Sequence, residues 1–180
     1  DLGCSEAVNL DGGGSTTFVL RNLGAMDAKM INRSADGAAR AVANGALLIN
    51  TAPATSATKL ILSPYGQKVL IGGNYTFQVT GAMDANLRSY PIPSNISWSV
   101  DEAAGSVSSA GVFHPTRAGG VLIHAAAGSA TGTATAEVVD SITAIKSADK
   151  LTVKANAKQT ISVTLLRGND TVVHSNDLLK

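Results

Sequence analysis

The 180-residue sequence holds a single cysteine, Cys4, so no disulfide can form within the chain and a small disulfide-stapled scaffold is excluded. A thiol acts as a nucleophile only beside a base. The first histidine along the chain, His114, falls in a different compositional zone, and Cys4 reads as a small buried hydrophobe. Charge is equally sparse. Charged residues make up 15% and aromatic residues 4%, against about 25% charged in ordinary soluble domains. With 14 basic and 13 acidic residues the formal net charge is +1, and the Lys and Arg side chains are scattered singly. That leaves no electrostatic footprint for nucleic acid or an anionic membrane. No apolar run reaches the roughly 18 residues that a membrane-spanning helix needs. Asp1-Leu2-Gly3-Cys4-Ser5-Glu6 lacks the basic and apolar segments of a signal peptide, so export would rely on a leader further upstream. His114, His124 and His174 stand far apart without metal-ligand spacing, and neither a metal nor another cofactor is expected. Asp84 and the pair Asp101-Glu102 lack any calcium-loop spacing and read as solvated loop acids.

What the chain does have is small residues. Hydrophobic residues reach 44%, many of them Ala and Val, interleaved with Gly, Ser and Thr. That mixture suits antiparallel sheets with hydroxyls on their outward faces. Three zones separate: residues 1–52, 53–140 and 141–180. The first is rich in Gly, Asn and Asp and offers short strands near Ala7–Leu10, Thr17–Leu20, Lys29–Asn32 and Ala46–Asn50. Thr51-Ala52-Pro53-Ala54-Thr55-Ser56-Ala57-Thr58 follows with linker composition.

From Lys59 the pattern becomes short strands broken by turn residues. Leu60-Ile61-Leu62 is a first strand, and Tyr75, Phe77 and Val79 alternate with polar residues, as do Ile96, Trp98 and Val100. Gly111-Val112-Phe113-His114-Pro115, Val121–His124 and Ala134–Val139 complete the set. Such spacing, with a Trp on a central strand, predicts an immunoglobulin-like β-sandwich with Trp98 as core anchor. After Asp140 the pattern restarts. At the spacing that sets Phe77 over Ile161, Val79 falls on Val163, Val69 on Val153 and Ile61 on Ile145, a tandem repeat of one module. The second copy is partial and the first zone offers too few strands for its own core, so the expectation is a piece of a longer protein with further modules upstream and downstream.

The most unusual segment is Asn9-Leu10-Asp11-Gly12-Gly13-Gly14-Ser15-Thr16-Thr17. Consecutive glycines let the main chain approach a ligand closely, and successive N–H groups can cradle an anion. No Gly-Lys-Ser/Thr follows, which excludes a P-loop, and the dinucleotide fingerprint is missing. A hairpin turn with Asp and Ser as turn formers fits the same residues.

Ala7-Val8-Asn9-Leu10-Asp11-Gly12-Gly13-Gly14-Ser15-Thr16-Thr17 resembles the C-terminal signature of the phosphodiester glycosidase family. A second block, running from Asn32 to Ile49, is similar to the family's next conserved stretch at Asn32, Asp36, Gly37, Arg40, Val42 and Asn44. Ser34 stands where that stretch has Pro, Ala39 where it has Glu, and Gly45 is an insertion. The resemblance implies the last part of an α+β glycosidase domain that hydrolyses a sugar-1-phosphodiester, with Ig-like spacers behind it. Within it Asp11 and Asp36 are the candidate catalytic carboxylates, and Asn9, Gly12, Gly13, Gly14, Ser15 and Arg40 the candidate substrate-binding residues. Glycoside cleavage ordinarily uses two carboxylates, and one partner would lie upstream, so this chain alone is expected to be inactive. The expected fold is mainly β, the expected location the bacterial cell surface or medium, and the expected partner a sugar phosphodiester or cell-wall glycan. The alternative is a structural or adhesive surface protein.

Overall fold

The computed structural model describes residues 13–43, 45–101, 103–148, 150, 152–153 and 158–178. The chain is mainly β, and among the described residues helix is confined to single 3-10 turns at Gly13–Ser15 and Asn176–Leu178. In the first zone β1 (Val19–Leu20) and β2 (Lys29–Met30) form an antiparallel ribbon with Val19 opposite Met30. The Asn32 side chain extends it: Oδ1 accepts from the Phe18 N–H at 2.7 Å and Nδ2 donates to the Thr16 carbonyl at 2.8 Å. The strand expected at Ala46–Asn50 does not form, and Leu47, Leu48 and Ile49 are exposed. Among the described residues no ladder partner lies alongside this run, and without one apolar character does not make a strand. The strand expected near Ala7–Leu10 lies outside the described residues.

The middle zone is a two-layer sandwich. Its strands are β3 (Ala57–Ser63), β4 (Gln67–Leu70), β5 (Tyr75–Thr76), β6 (Gln78–Asp84), β7 (Ser89–Tyr90), β8 (Ser97–Val100), β9 (Gly105–Val107), β10 (Val112–Pro115), β11 (Gly119–Ala127) and β12 (Ala130–Val139). The larger sheet runs β7-β6-β3-β12-β11-β8, with β4 also pairing β12, and the smaller runs β5-β10-β9. Small residues on β11 and β12 (Ala125, Ala130, Ala134, Ala136) are buried and leave room for the bulkier Phe77, Phe113 and Ile123. Phe77 and Phe113 meet edge to face with centroids 6.4 Å apart, an arrangement that favours aromatic pairs beyond simple burial.

Phe77 also explains one departure from the sequence pattern. The alternation Tyr75, Phe77, Val79 reads as one strand, yet the chain leaves the smaller sheet after Thr76 and enters the larger at Gln78. At the crossing, Phe77 N donates to Gly111 O at 2.8 Å. Trp98 is half-buried at the margin of the core, beside Gly111, and the centre belongs to the two phenylalanines.

In the third zone β13 (Ala144–Lys146), β14 (Thr164–Arg167) and β15 (Asp170–Val172) form an antiparallel sheet in that order. Its register reproduces the sandwich: Leu60 opposite Ala82 and Ile61 opposite Gly81 become Ala144 opposite Leu166 and Ile145 opposite Leu165. These strands do not stand alone. Val69 bridges Val173 in parallel, with Leu70 N to Val173 O at 3.0 Å and Val173 N to Lys68 O at 2.8 Å. Val139, Leu165 and Val172 form a small buried cluster against Leu70 and Ile142.

Candidate functional site

Among the proposed site residues, Asn9, Asp11 and Gly12 lie outside the described residues. The others are brought together from two stretches about twenty positions apart. Gly13 opens the 3-10 turn at φ +70°, a left-handed conformation natural to glycine. Gly14 is buried, and a Cβ there would strike the Asp36 carboxylate, so its bare backbone is what admits that side chain. Asp36 in turn forms an ion pair with Arg40 Nε, one helical-type spacing along. The Arg40 side chain is exposed, and a guanidinium carries N–H groups beyond the Nε that meets Asp36.

Ser34 ties the two stretches. It is buried, its hydroxyl donates to Gly14 O at 3.2 Å, and the same oxygen accepts from Asp36 N at 3.4 Å. Gly37 N closes the turn on Ser34 O at 3.1 Å, with Gly37 at φ +79°. Sequence reasoning noted Ser34 only as a departure from Pro. That departure was itself the signal, since a hydroxyl can make both bonds and a proline side chain can make neither. Asn32 was noted as a match without a role, and its amide closes the ribbon next to the glycine turn. Ser15 sits half-buried in that turn.

Asp84 corrects an expectation. It is buried, not a solvated loop acid. Its Oδ2 accepts from Thr55 N at 2.8 Å, and Oδ1 accepts from Asn86 N and Arg88 N at 2.9 Å each. These N–H donors, that of Thr55 foremost, hold its carboxyl below the usual carboxylate range.

A shallow groove of about 250 Å³ lies on the sandwich, lined by Asp101, Ala104, Arg117, Gly119 and Gly120 among others. It shares no residue with the Gly14–Asp36–Arg40 corner. Among the described residues no group of His, Cys, Asp and Glu is arranged to hold a metal, and no helix is long and apolar enough to cross a membrane.

Comparison with known proteins matches residues 1–49 to the family described as phosphodiester glycosidase. No curated protein matches this chain. Among solved structures, domains 5-6 of the S-layer protein SbsC are similar at 19% identity and a TM-score of 0.41, over 68% of this chain and 69% of that one.

Proposed function

We propose that residues 1–49 supply the glycine-turn corner of a phosphodiester glycosidase site at a bacterial cell surface, and that the β modules behind them act as spacers. The observation that carries this reading is the convergence of Gly14, Ser34, Asp36 and Arg40 from the two stretches that resemble the family. In the reaction, water adds to the anomeric carbon of the sugar, the bond from that carbon to the phosphate oxygen breaks, and a phosphomonoester leaves. The phosphodiester's single negative charge meets Arg40, whose planar fork suits phosphate oxygens. Asp36, already committed to Arg40 and seated on Gly14, positions that guanidinium. Asp11 remains the carboxylate proposed to act on the sugar. The apolar residues left exposed on the ribbon, Phe18, Val19, Leu20, Met30 and Ile31, support a role as one part of a larger fold.

The test uses a protein carrying a complete glycosidase domain and an N-acetylglucosamine-1-phosphodiester as substrate. Arg40→Met is expected to lower kcat/KM by roughly 10²–10³, the usual scale for losing one transition-state charge partner, with Asp36→Asn losing less. The 180-residue chain alone is expected to show no turnover. Full activity in Arg40→Met would refute the assignment. A second reading, a surface protein that binds carbohydrate through its sandwich, draws on the polar groove around Asp101 and Arg117.

A further inference from the structure

We infer that each β module of this chain receives the unit before it through one recurring docking surface: the outward face of its first antiparallel strand pair (β3 with β6, β13 with β14), together with the loop that follows the second strand of that pair. In the sandwich this face carries the Ile61–Gly81 pair, opposite in the pleat to the core pair Leu60–Ala82. The preceding unit reaches it through the turn Asn22–Ala25, where Gly24 has φ +76° and Gly24 O accepts from Ala82 N at 3.3 Å. The approach is backbone on backbone. A Cβ on Gly81 would lie 2.7 Å from Gly24 O, and one on Gly24 would lie 3.0 Å from Ile61 Cγ1.

The hairpin loop after β6 then clasps the incoming linker. Asp84 takes the Thr55 N–H, Asn86 Nδ2 donates to Pro53 O at 2.9 Å, and the Arg88 guanidinium donates to Ala52 O. Asn50 Nδ2 returns a bond to Asn86 O at 2.7 Å. A stretch with linker composition is thus fixed at three of its residues, and Asn50 just before it adds a fourth contact.

The third zone repeats the arrangement with different chemistry. At the position of Gly81 stands Leu165, which is buried with Val139 and Leu70 of the sandwich and Ile142 of the following linker. The linker between β12 and β13 is held by the loop after β14. Thr143 N donates to Leu166 O at 2.7 Å, Gly168 N donates to Thr143 Oγ1 at 2.8 Å, and Arg167 lies 3.6 Å from Asp140. Gly168 stands at the position of Asp84, so here the loop donates its N–H and the linker's threonine hydroxyl accepts, the reverse of the first junction. The recurrence of the same strand pair, face and loop at two junctions makes the partner of this surface the preceding module. The modules therefore form a rod of fixed angles, not beads on a flexible string. This deepens the spacer half of the proposed function and rests on it, while requiring nothing of the hydrolysis.

The experiment measures distances by pulsed electron resonance in the full chain, with Cys4→Ser as background and spin labels at Asp27→Cys with Thr131→Cys, or Thr131→Cys with Thr160→Cys. Each pair is expected to give one narrow distance. Asp84→Ala, and separately the double variant Asn86→Ala with Arg88→Ala, should broaden the first distance at least about twofold, as expected when a linker regains coil freedom, and leave the second unchanged. Thr143→Val should do the converse. The double variant touches only the clasp, so it reads the junction even where Asp84→Ala unfolds the sandwich. Broad distances in the parent chain, or an unchanged first distance in the double variant, would overturn the docking surface and leave the glycosidase reading standing.

Discussion

Phe18 and Phe77 each follow a threonine in a short β-rich stretch, and their fates are opposite. Phe77 is wholly buried at the crossing between two sheets, whereas Phe18 is 58% exposed beside a two-stranded ribbon. The difference is not in the residues but in what lies within reach. Around Phe77 a second sheet supplies Phe113, and alanines on β11 and β12 leave space for both rings. The ribbon has no second layer among the described residues, and a lone pair of strands cannot bury both its faces. Two modes of stabilisation are thereby separated: the sandwich is held by packing, and the N-terminal corner by polar contacts around a glycine.

The sharpest way to break this contrast is to remove one ring from each region. Phe77→Ala should cost about 3–5 kcal/mol of sandwich stability, read by denaturant unfolding, while Phe18→Ser should stay within about 0.5 kcal/mol. Equal losses would mean the N-terminal segment shares the sandwich core. Next in size is a backbone test. A side chain on Gly132 would run into Leu60 O and the Leu62 side chain, so Gly132→Val should cost about 1–3 kcal/mol by overpacking. Gly14→Ala should instead leave the sandwich unfolding curve in place and displace Asp36 from Arg40, visible as a changed Arg40 Nε resonance.

A smaller effect follows from acid. The Asp84 carboxyl has a lowered pKa in the fold, so its contribution is present above the ordinary carboxylate value of roughly 4 and is lost as pH falls through the lowered one. The Asp27–Thr131 spin-label distance should therefore stay narrow at neutral pH and broaden only in strong acid; broadening already near neutrality would count against the clasp. Smallest is the ionic contact across the second junction. Lys68, paired with Glu137 within the sandwich, lies 3.4 Å from Asp170 across the junction, and the Glu137 contact foremost raises its pKa. That contribution is full at neutral pH and fades only as pH rises through the raised value. At neutral pH, salt should weaken this exposed contact slightly, with no loss of the Val69–Val173 pairing in amide exchange.

Much of the sandwich was legible because its strands alternate with period two and stop at turn residues; of the repeat, Ile61 and Ile145 share a register as well as a spacing, whereas Val153 and Ile161 are exposed where Val69 and Phe77 are buried. The sheet switch at Phe77 was not, since side-chain alternation continues across it while the backbone partners change. Leu47, Leu48 and Ile49 misled because an apolar run specifies a strand only where another strand lies beside it. In the candidate site, Asp36 and Arg40 were singled out from the second block, but no helix brings them together: their ion pair forms beyond the turn closed by Gly37 N on Ser34 O. The Ser34 link was hidden, because it depends on a partner twenty residues away and on the absence of a side chain at Gly14.

The most direct test compares two arginines, one in each region, in a protein carrying a complete glycosidase domain. Release of phosphomonoester from an N-acetylglucosamine-1-phosphodiester is measured for Arg40→Met and for Arg117→Met, the latter lining the sandwich groove. The expected result is a fall of roughly 10² or more for Arg40→Met and an unchanged rate for Arg117→Met. A rate that survives Arg40→Met and collapses with Arg117→Met would place the chemistry in the sandwich and contradict the division described above.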